Sequence, residues 1–179
     1  MASSLPGFNT PAVGFGQPFE MLEACHERVQ RTLTLLEKLR AYLHTHTCDD
    51  TARQAARDVL RYFDLAAPLH HQDEELHIFP LLLAQGRPDV VAPVQQLQHD
   101  HHAMEADWAA ARGPLQALAE GEIQTFSGAD EAVFAQFSGR YADHIRVEEG
   151  LVYPAAQALL SASAVAAMGQ EMAQRRGAR

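Results

Sequence analysis

Two copies of a His-x-x-x-Glu motif, in the same frame, constrain this chain more than any other feature of its sequence. The first copy pairs His70 with Glu74, and the second pairs His144 with Glu148, 74 residues further along. Residues four positions apart on an α-helix share a face and lie about 6 Å apart along the axis. Each pair can therefore close on one metal ion from a single helix.

Two lone histidines repeat at almost the same offset. His26 and His99 are separated by 73 residues, so each half of the chain supplies one lone histidine and then one His/Glu pair. A single His-x-x-x-Glu pair is common on helix surfaces, where it forms an ordinary ion pair. Two copies in register, with two matching histidines, instead predict a two-fold metal site.

The expected fold is all-α. Apolar residues recur at alternating steps of three and four, which is the pattern of core-facing helical stripes. Capping residues, glycines and prolines divide this pattern into four long helices, expected at about 19–43, 51–84, 88–112 and 130–154. The short connections between them favour an antiparallel up-down-up-down four-helix bundle, a fold whose interior commonly holds metal sites.

Prolines are expected to interrupt two of these helices. Pro68 and Pro80 should kink or loosen the second helix on either side of its His/Glu pair. Gly113 and Pro114 should break or bend the third helix before a short continuation at residues 115–119.

The two ends of the chain differ from the bundle in composition. Residues 1–18 are rich in proline and glycine, which predicts an irregular N-terminal arm. The bundle is assigned to residues 19–160. An alanine-rich segment within residues 161–179 predicts a short C-terminal helix followed by a tail.

The candidate metal ligands occupy predicted core positions on all four helices. They are His26, His70, Glu74, His99, His144 and Glu148. Charged carboxylates are rarely buried unless they are paired or bound to metal, and four imidazoles with two carboxylates satisfy one another around two ions. Nitrogen and oxygen ligands without thiolate suit iron, manganese or zinc, and the order of affinities does not choose among them.

Other side chains lie close to these candidates in the predicted helices. His77 and His102 fall one turn beyond Glu74 and His99, and Tyr141 falls one turn before His144. Each is a candidate additional ligand or hydrogen-bond donor; the alternatives are a histidine at the pocket edge and a tyrosine packed in the core. Four further histidines are expected to point into solvent: His44, His46, His71 and His101.

Composition excludes several classes of partner. The 179-residue chain carries 14 Lys and Arg against 23 Asp and Glu, a formal charge of −9, which disfavours nucleic-acid and anionic-membrane surfaces. Its two cysteines, Cys25 and Cys48, lack Cys-x-x-Cys spacing, so neither a disulfide framework nor a thiolate zinc site is indicated. With no signal-like or membrane-spanning segment in the sequence, a cytoplasmic location is expected.

The order of these motifs resembles the hemerythrin-like, or HHE cation-binding, domain, in which lone histidines alternate with His-x-x-x-Glu pairs on four helices. The resemblance covers about residues 19–160 and includes the endings Glu-Glu-x-x-Ile-Phe-Pro and Glu-Glu-x-x-Val-Tyr-Pro of the two motifs. It implies that the six candidates match the family's ligand positions. It also implies a cofactor of two non-haem, carboxylate-bridged iron ions, with manganese or zinc as alternatives.

The oxygen-carrying hemerythrins differ from this pattern in two places. They have a second histidine one turn before the ligand on helix three, where this chain has Gln95, and their last motif is His-x-x-x-x-Asp. The chain looks more like bacterial HHE proteins linked to iron-centre repair and to nitric oxide or oxygen responses. That similarity implies no catalytic residue beyond the metal ligands.

Two functions follow from the resemblance. The first is binding or reduction of a small ligand, namely oxygen, nitric oxide or peroxide, in stress response or sensing. Because the sequence has no flavin or reductase-docking motif, reduction would need an external electron donor. The alternative is iron handling, in which the protein donates labile iron for the repair of damaged centres.

Overall fold

The computed structural model describes residues 13–178, and all regular secondary structure in that range is helical, as the sequence predicts. Residues 1–12 of the expected arm lie outside the described residues. We number the helices α1 to α5 in chain order. Their bounds are Pro18–Leu43 for α1, 50–85 for α2, Pro88–Glu120 for α3, Gly128–Leu159 for α4 and Ala162–Arg175 for α5.

Two of these helices contain wide π-helical turns. Helix α2 consists of α-helical segments Asp50–Arg61, Ala67–Asp73 and Phe79–Gln85, joined by π turns Tyr62–Ala66 and Glu74–Ile78. Helix α4 consists of Gly128–Gly139, Tyr141–Val147 and Tyr153–Leu159, with a π turn at Glu148–Val152. Both glutamates of the His/Glu pairs therefore begin a π turn.

Each π turn ends two residues before a proline, at Ala66, Ile78 and Val152. The backbone N–H of the preceding residue bonds five residues back: Ala67 to Tyr62, Phe79 to Glu74 and Tyr153 to Glu148. Proline has no N–H, and its ring crowds the preceding turn of an α-helix, so a wider turn makes room for it. The loosening expected at Pro68 and Pro80 takes this form, and Pro154 has the same effect on α4.

Helix α3 runs without interruption through Gly113 and Pro114, contrary to the expected break. Tertiary packing explains the continuity. Ala111, Leu115 and Leu118 flank the proline and are fully buried, so a helical path is stabilised on both sides of it. The helix ends at Gly121, whose φ of 79° is a left-handed conformation that glycine adopts without strain.

Short, capped connections join the helices. The Asp49 side chain accepts a hydrogen bond from the Ala52 N–H at the start of α2. At the start of α4, Ser127 and Asp130 form a reciprocal capping box. These caps satisfy backbone donors that the first turn of a helix leaves free, and so fix where each helix begins.

The bundle interior contains two apolar clusters with a polar layer between them. The large apolar cluster includes Leu36, Val59, Phe63, Leu115, Phe134 and Phe137. The small apolar cluster includes Phe19, Ile78, Phe79, Leu97, Tyr153 and Met172. The polar layer consists of His26, His70, Glu74, His101, His144 and Glu148. Helices α1 to α4 each contribute to all three regions, so the polar layer crosses the whole core.

Within residues 13–178, no single helix combines the length and apolar composition of a membrane span. Taken together, Gly128–Leu159 and Ala162–Arg175 meet those two criteria, but the pair is bent by 118°.

Replacing Leu36 by alanine tests the large apolar cluster independently of the polar layer. Leu36 is fully buried, so Leu36→Ala should lower the free energy of unfolding by about 2–5 kcal/mol through lost burial and a residual cavity. Urea denaturation measures this change. The matched variant Leu65→Ala, at a side chain 63% exposed, should change it by less than about 0.5 kcal/mol, and equal losses would contradict this description of the core.

Candidate metal centre

The polar layer is a compact group of imidazoles and carboxylates removed from solvent. Each of its six side chains is at most 4% exposed, and both glutamates are completely buried. Helices α1 and α3 supply one histidine each, while α2 and α4 supply one His/Glu pair each. The structure therefore brings together five of the six residues proposed from sequence: His26, His70, Glu74, His144 and Glu148.

His99, the sixth candidate from sequence, is not in the polar layer. Its side chain is exposed, and His101 occupies the place expected for it, with 1% exposure. The prediction that His101 points into solvent was therefore also wrong. Two positions correspond to a rotation of about 200° around an α-helix, so His99 and His101 face nearly opposite directions.

The apolar pattern of α3 contains the signal that identifies His101. Val90, Val94, Leu97, His101 and Met104 are buried and follow steps of four, three, four and three. The motif repeat favours His99 instead, because its offset of 73 residues from His26 nearly matches the spacing of the two His/Glu pairs. Large apolar side chains indicate a buried face more strongly than such an offset does.

The ligand atoms form two groups that share one carboxylate. The first group consists of His26, His70, Glu74 and Glu148, and the second consists of His101, His144 and Glu148. Within each group the ligand atoms lie within 4.8 Å of one another. Because Glu148 belongs to both, the arrangement can hold two cations with a carboxylate between them.

Both carboxylates lie between histidines of the two groups. Glu148 Oε2 is 3.1 Å from His26 Nε2, and its Oε1 is 2.9 Å from His144 Nε2. Glu74 Oε1 is 3.6 Å from His70 Nε2, and its Oε2 is 3.3 Å from His101 Nε2. Both glutamates therefore lie between the two sets of histidines, but only Glu148 belongs to both ligand groups.

Several atoms of the polar layer are buried without a hydrogen-bond partner. They are His70 Nδ1, Glu74 Oε2, His101 Nε2, His144 Nε2 and both carboxylate oxygens of Glu148. Burying such groups without partners is costly, and native proteins nearly always satisfy them. Cations held between these nitrogens and oxygens would satisfy them, so the donor set fits a metal centre and the site is a metal-binding site.

A second set of carboxylates holds the outer nitrogens of three histidines. Glu149 Oε1 lies 2.8 Å from His26 Nδ1, and Glu75 Oε1 lies 2.9 Å from His101 Nδ1. Asp100 Oδ2 lies 3.4 Å from His144 Nδ1. In the neutral form of each ring, an Nδ1 that donates to these oxygens leaves Nε2 unprotonated and facing the interior, which is the form that binds metal.

The paired glutamates of the two motifs have separate tasks. Glu74 and Glu148 point into the polar layer, while Glu75 and Glu149 reach across to a histidine of a neighbouring helix. Residues adjacent on a helix point about 100° apart. One glutamate of each Glu-Glu pair can therefore lie inside the polar layer while the other contacts a histidine Nδ1 from outside it.

Tyr153 breaks the two-fold resemblance between the halves of the site. It lies five residues after Glu148, where the first half has Phe79 five residues after Glu74. Its hydroxyl donates a hydrogen bond to Glu74 Oε1 and lies 3.3 Å from His26 Nε2. Phe79 is tilted against the His101 ring without a polar contact to it, so the first group alone has a phenol beside its ligands.

The electrostatics of the polar layer favour positive charge between the two carboxylates. Burial alone would lower the pKa of His26, but the adjacent carboxylate of Glu148 outweighs it and raises that pKa to about 9. The same balance, with Glu148 and Glu74, raises the pKa of His101 to about 10. Burial and repulsion from His26 hold the pKa of His70 well below its usual value. Before a metal binds, the protons on His26 and His101 therefore supply positive charge beside the two carboxylates. Metal cations would replace these protons.

The two carboxylates respond differently to burial. Burial, reinforced by repulsion from Glu148, raises the pKa of Glu74 to about 7. Burial also opposes ionisation of Glu148, but the neighbouring imidazoles of His101, His144 and His26 hold the pKa of Glu148 well below its usual value. Glu148 is therefore a carboxylate ready to bind a cation.

The side chains proposed as additional ligands lie outside both groups. His77 Nε2 is 2.5 Å from Glu171 Oε2 of α5, and His102 is exposed. Tyr141 packs against Phe63 and Phe137 in the large apolar cluster. His71, expected in solvent, is half-buried and stacks on the His101 ring with centroids 3.9 Å apart.

Metal binding should release protons. His26 and His101 have pKa values above 7, so both carry a proton at neutral pH before a metal enters, whereas a ligand histidine must be unprotonated. We expect between about two and three protons to be released per chain, because Glu74, with a pKa of about 7, adds part of a proton to those of the two histidines, and we expect metal affinity to fall as the pH is lowered. Calorimetric titration in buffers of different ionisation enthalpy counts the protons; no release at pH 7 would contradict this charge balance.

A pair of alanine variants distinguishes the two histidines of α3. His101→Ala removes a ligand from the second group and should lower the metal bound per chain. His99→Ala, at an exposed position two residues away, should leave metal content unchanged. Elemental analysis of both purified variants makes the comparison, and loss of metal from His99→Ala alone would restore the assignment based on the repeat offset.

Comparison with known proteins agrees with this geometry. The Hemerythrin HHE cation binding domain matches residues 17–156, which span the polar layer and helices α1 to α3 completely. The chain is also similar to an uncharacterized protein of Haemophilus influenzae, with 33% identity over 162 residues, 90% of this chain and 91% of that protein. With a match over most of its length and a buried His/Glu layer inside it, this chain belongs to the hemerythrin HHE cation-binding domain family.

Proposed function

We propose that the polar layer holds two iron ions and that the protein binds or reduces a small ligand, namely oxygen, nitric oxide or peroxide. One observation supports this proposal above others: buried ligand atoms of His70, Glu74, His101, His144 and Glu148 converge without hydrogen-bond partners. Two overlapping groups around Glu148 favour two ions over one.

The donor chemistry is consistent with iron. The two groups consist of imidazole nitrogens and carboxylate oxygens, and both Cys25 and Cys48 lie outside them. Such ligands suit iron, manganese and zinc, and helical bundles commonly build di-iron and di-manganese sites from facing glutamates and histidines. Membership of the hemerythrin family favours iron among these.

The two groups offer different numbers of protein ligands. His26, His70, Glu74 and Glu148 would hold the first ion, and His101, His144 and Glu148 would hold the second. When bound, iron would supply electrons and coordination positions for an exogenous ligand. The second ion would have fewer protein ligands than the first, which favours the second ion as the one that binds the exogenous ligand.

A small pocket lies next to the polar layer, against the histidine that stacks on His101. A pocket of about 50 Å³ lies beside His71, with Phe63, Met104, Trp108 and Tyr141 among its walls. Its walls include no residue of the two ligand groups, whereas His144 of the second group lines a larger pocket of about 580 Å³. On the other side, the Tyr153 hydroxyl donates its hydrogen bond to Glu74 and so orients that carboxylate in the first group.

We further propose that α1 to α4 form an antiparallel up-down-up-down bundle in a cytoplasmic protein. The connections between them span residues 44–49, 86–87 and 121–127, which are short enough to favour antiparallel neighbours. Cys25 and Cys48 are both free thiols, in keeping with a reducing compartment. Turnover would require an external electron donor, because the sequence has no flavin or reductase-docking motif.

Anaerobic reconstitution tests this proposal. The metal-free protein should take up about two ferrous ions per chain, because two ligand groups are present. Exposure of separate samples to oxygen, nitric oxide and peroxide should then change the visible spectrum for at least one of the three. Metal counting and spectroscopy on the same samples report the number of ions and the ligand preference together.

The same samples distinguish the alternative function. A ligand-binding centre should keep its iron through repeated oxygenation, whereas a protein that donates iron should lose it readily to an acceptor. Uptake of two ions with no spectral response and rapid transfer to a chelator would favour iron handling. Uptake of no iron, but of zinc or manganese from unsupplemented cells, would contradict both.

A further inference from the structure

The C-terminal helix α5 contacts α2 on both sides of the ligand Glu74. Before Glu74, the fully buried carboxylate of Asp73 accepts hydrogen bonds from Arg175 and Arg176. After Glu74, His77 Nε2 is 2.5 Å from Glu171 Oε2. The π turn that begins at Glu74 is therefore tied to α5 at each end.

The contacts at Asp73 are specific in geometry. Arg176 Nη2 donates to Asp73 Oδ2 at 2.6 Å and its Nη1 donates to Oδ1 at 3.0 Å, so the guanidinium spans both oxygens. Arg175 donates to Asp73 Oδ1 and also, through Nε and Nη2, to Glu171 at 2.6 and 2.9 Å. Asp73, Arg175, Glu171 and His77 thus form a continuous polar bridge between α2 and α5.

Apolar packing fixes where α5 lies. Met168 and Met172 are buried in the small apolar cluster, beside Ile78 and Phe79 of α2. Gly169 faces the carbonyl oxygen of Phe15, and a Cβ at this position would lie 1.9 Å from that oxygen. The Phe15 ring also lies 5.8 Å from the Arg176 guanidinium. These contacts place both arginines over Asp73.

The cost of burying Asp73 makes the arginines necessary. A fully buried carboxylate is strongly destabilised unless it is paired, and removal of one partner leaves an uncompensated charge. Without its arginine partners, Asp73 would move toward solvent. Such a movement would shift Glu74, the next residue, away from His70 and Tyr153.

We propose that Arg175 and Arg176 are positioning residues that hold Glu74 in the metal site, so that α5 determines how slowly metal leaves the first ligand group. This inference rests on the proposed binding of two ions by the polar layer. The second group lies on the other side of Glu148 and has no described contact with α5. Outer partners of metal ligands typically change affinity by about 10–100-fold, which sets the size of the effect.

Release of cobalt(II) from the full-length protein tests this proposal. Cobalt-loaded protein is mixed with excess EDTA, and the loss of the cobalt absorption is followed in time. Wild type should release its two ions in two phases. In Arg176→Gln one phase should be at least about tenfold faster while the other is unchanged.

Two further variants separate positioning from general stability. Arg176→Lys keeps the charge but cannot span both Asp73 oxygens, so it should accelerate the same phase by a smaller factor. If Arg176→Gln does not fold, the release rates of Arg176→Lys provide the test instead. Arg112→Gln removes another arginine that joins α3 to α2, through Asp64 at 3.0 Å, and should leave both phases unchanged.

The outcomes distinguish this proposal from the one it rests on. Wild-type rates in Arg176→Gln and Arg176→Lys would overturn the positioning role alone. Equal acceleration of both phases, in step with a lower melting temperature of the metal-free variant, would show that α5 only stabilises the fold and would also overturn it. Failure of wild type to bind cobalt or iron would instead overturn the proposed metal centre, and this inference with it.

Discussion

Two carboxylates buried in the middle of a helical bundle are the constraint on which the rest of this structure depends. Glu74 and Glu148 are fully removed from solvent and lie only among imidazoles and one phenol. Their charge must be balanced, since an isolated buried carboxylate would cost more free energy than a domain of this size can spare. Protonated histidines or metal cations can supply that balance, and the family to which the chain belongs is a cation-binding one.

Two of the local irregularities in the helices coincide with these carboxylates. A π turn begins at each buried glutamate and ends before a proline, so the ligand carboxylate and the proline belong to one local feature. The adjacent glutamates, Glu75 and Glu149, hold histidines on neighbouring helices and connect the polar layer to the surface. Apolar clusters on both sides exclude water from the layer, which strengthens each of these interactions.

The all-helical fold and five of the six residues of the polar layer follow from the sequence, because helical periodicity and the His-x-x-x-Glu spacing are local signals. His101 was not predicted, because the choice between His99 and His101 depends on which face of α3 is buried. The motif repeat favours His99, whereas the buried apolar residues Val90, Val94 and Leu97 identify the face that contains His101. The roles of Tyr153, Asp73 and the arginines of α5 depend on contacts between distant segments, which no local pattern encodes.

The most direct measurement of the central claim is a crystal structure of the protein as purified from cells, with anomalous diffraction recorded on both sides of the iron edge. The account predicts two anomalous peaks per chain inside the polar layer, with Glu148 contacting both and His101, not His99, contacting one of them. A polar layer filled only by water, or anomalous scatterers bound elsewhere on the chain, would contradict it.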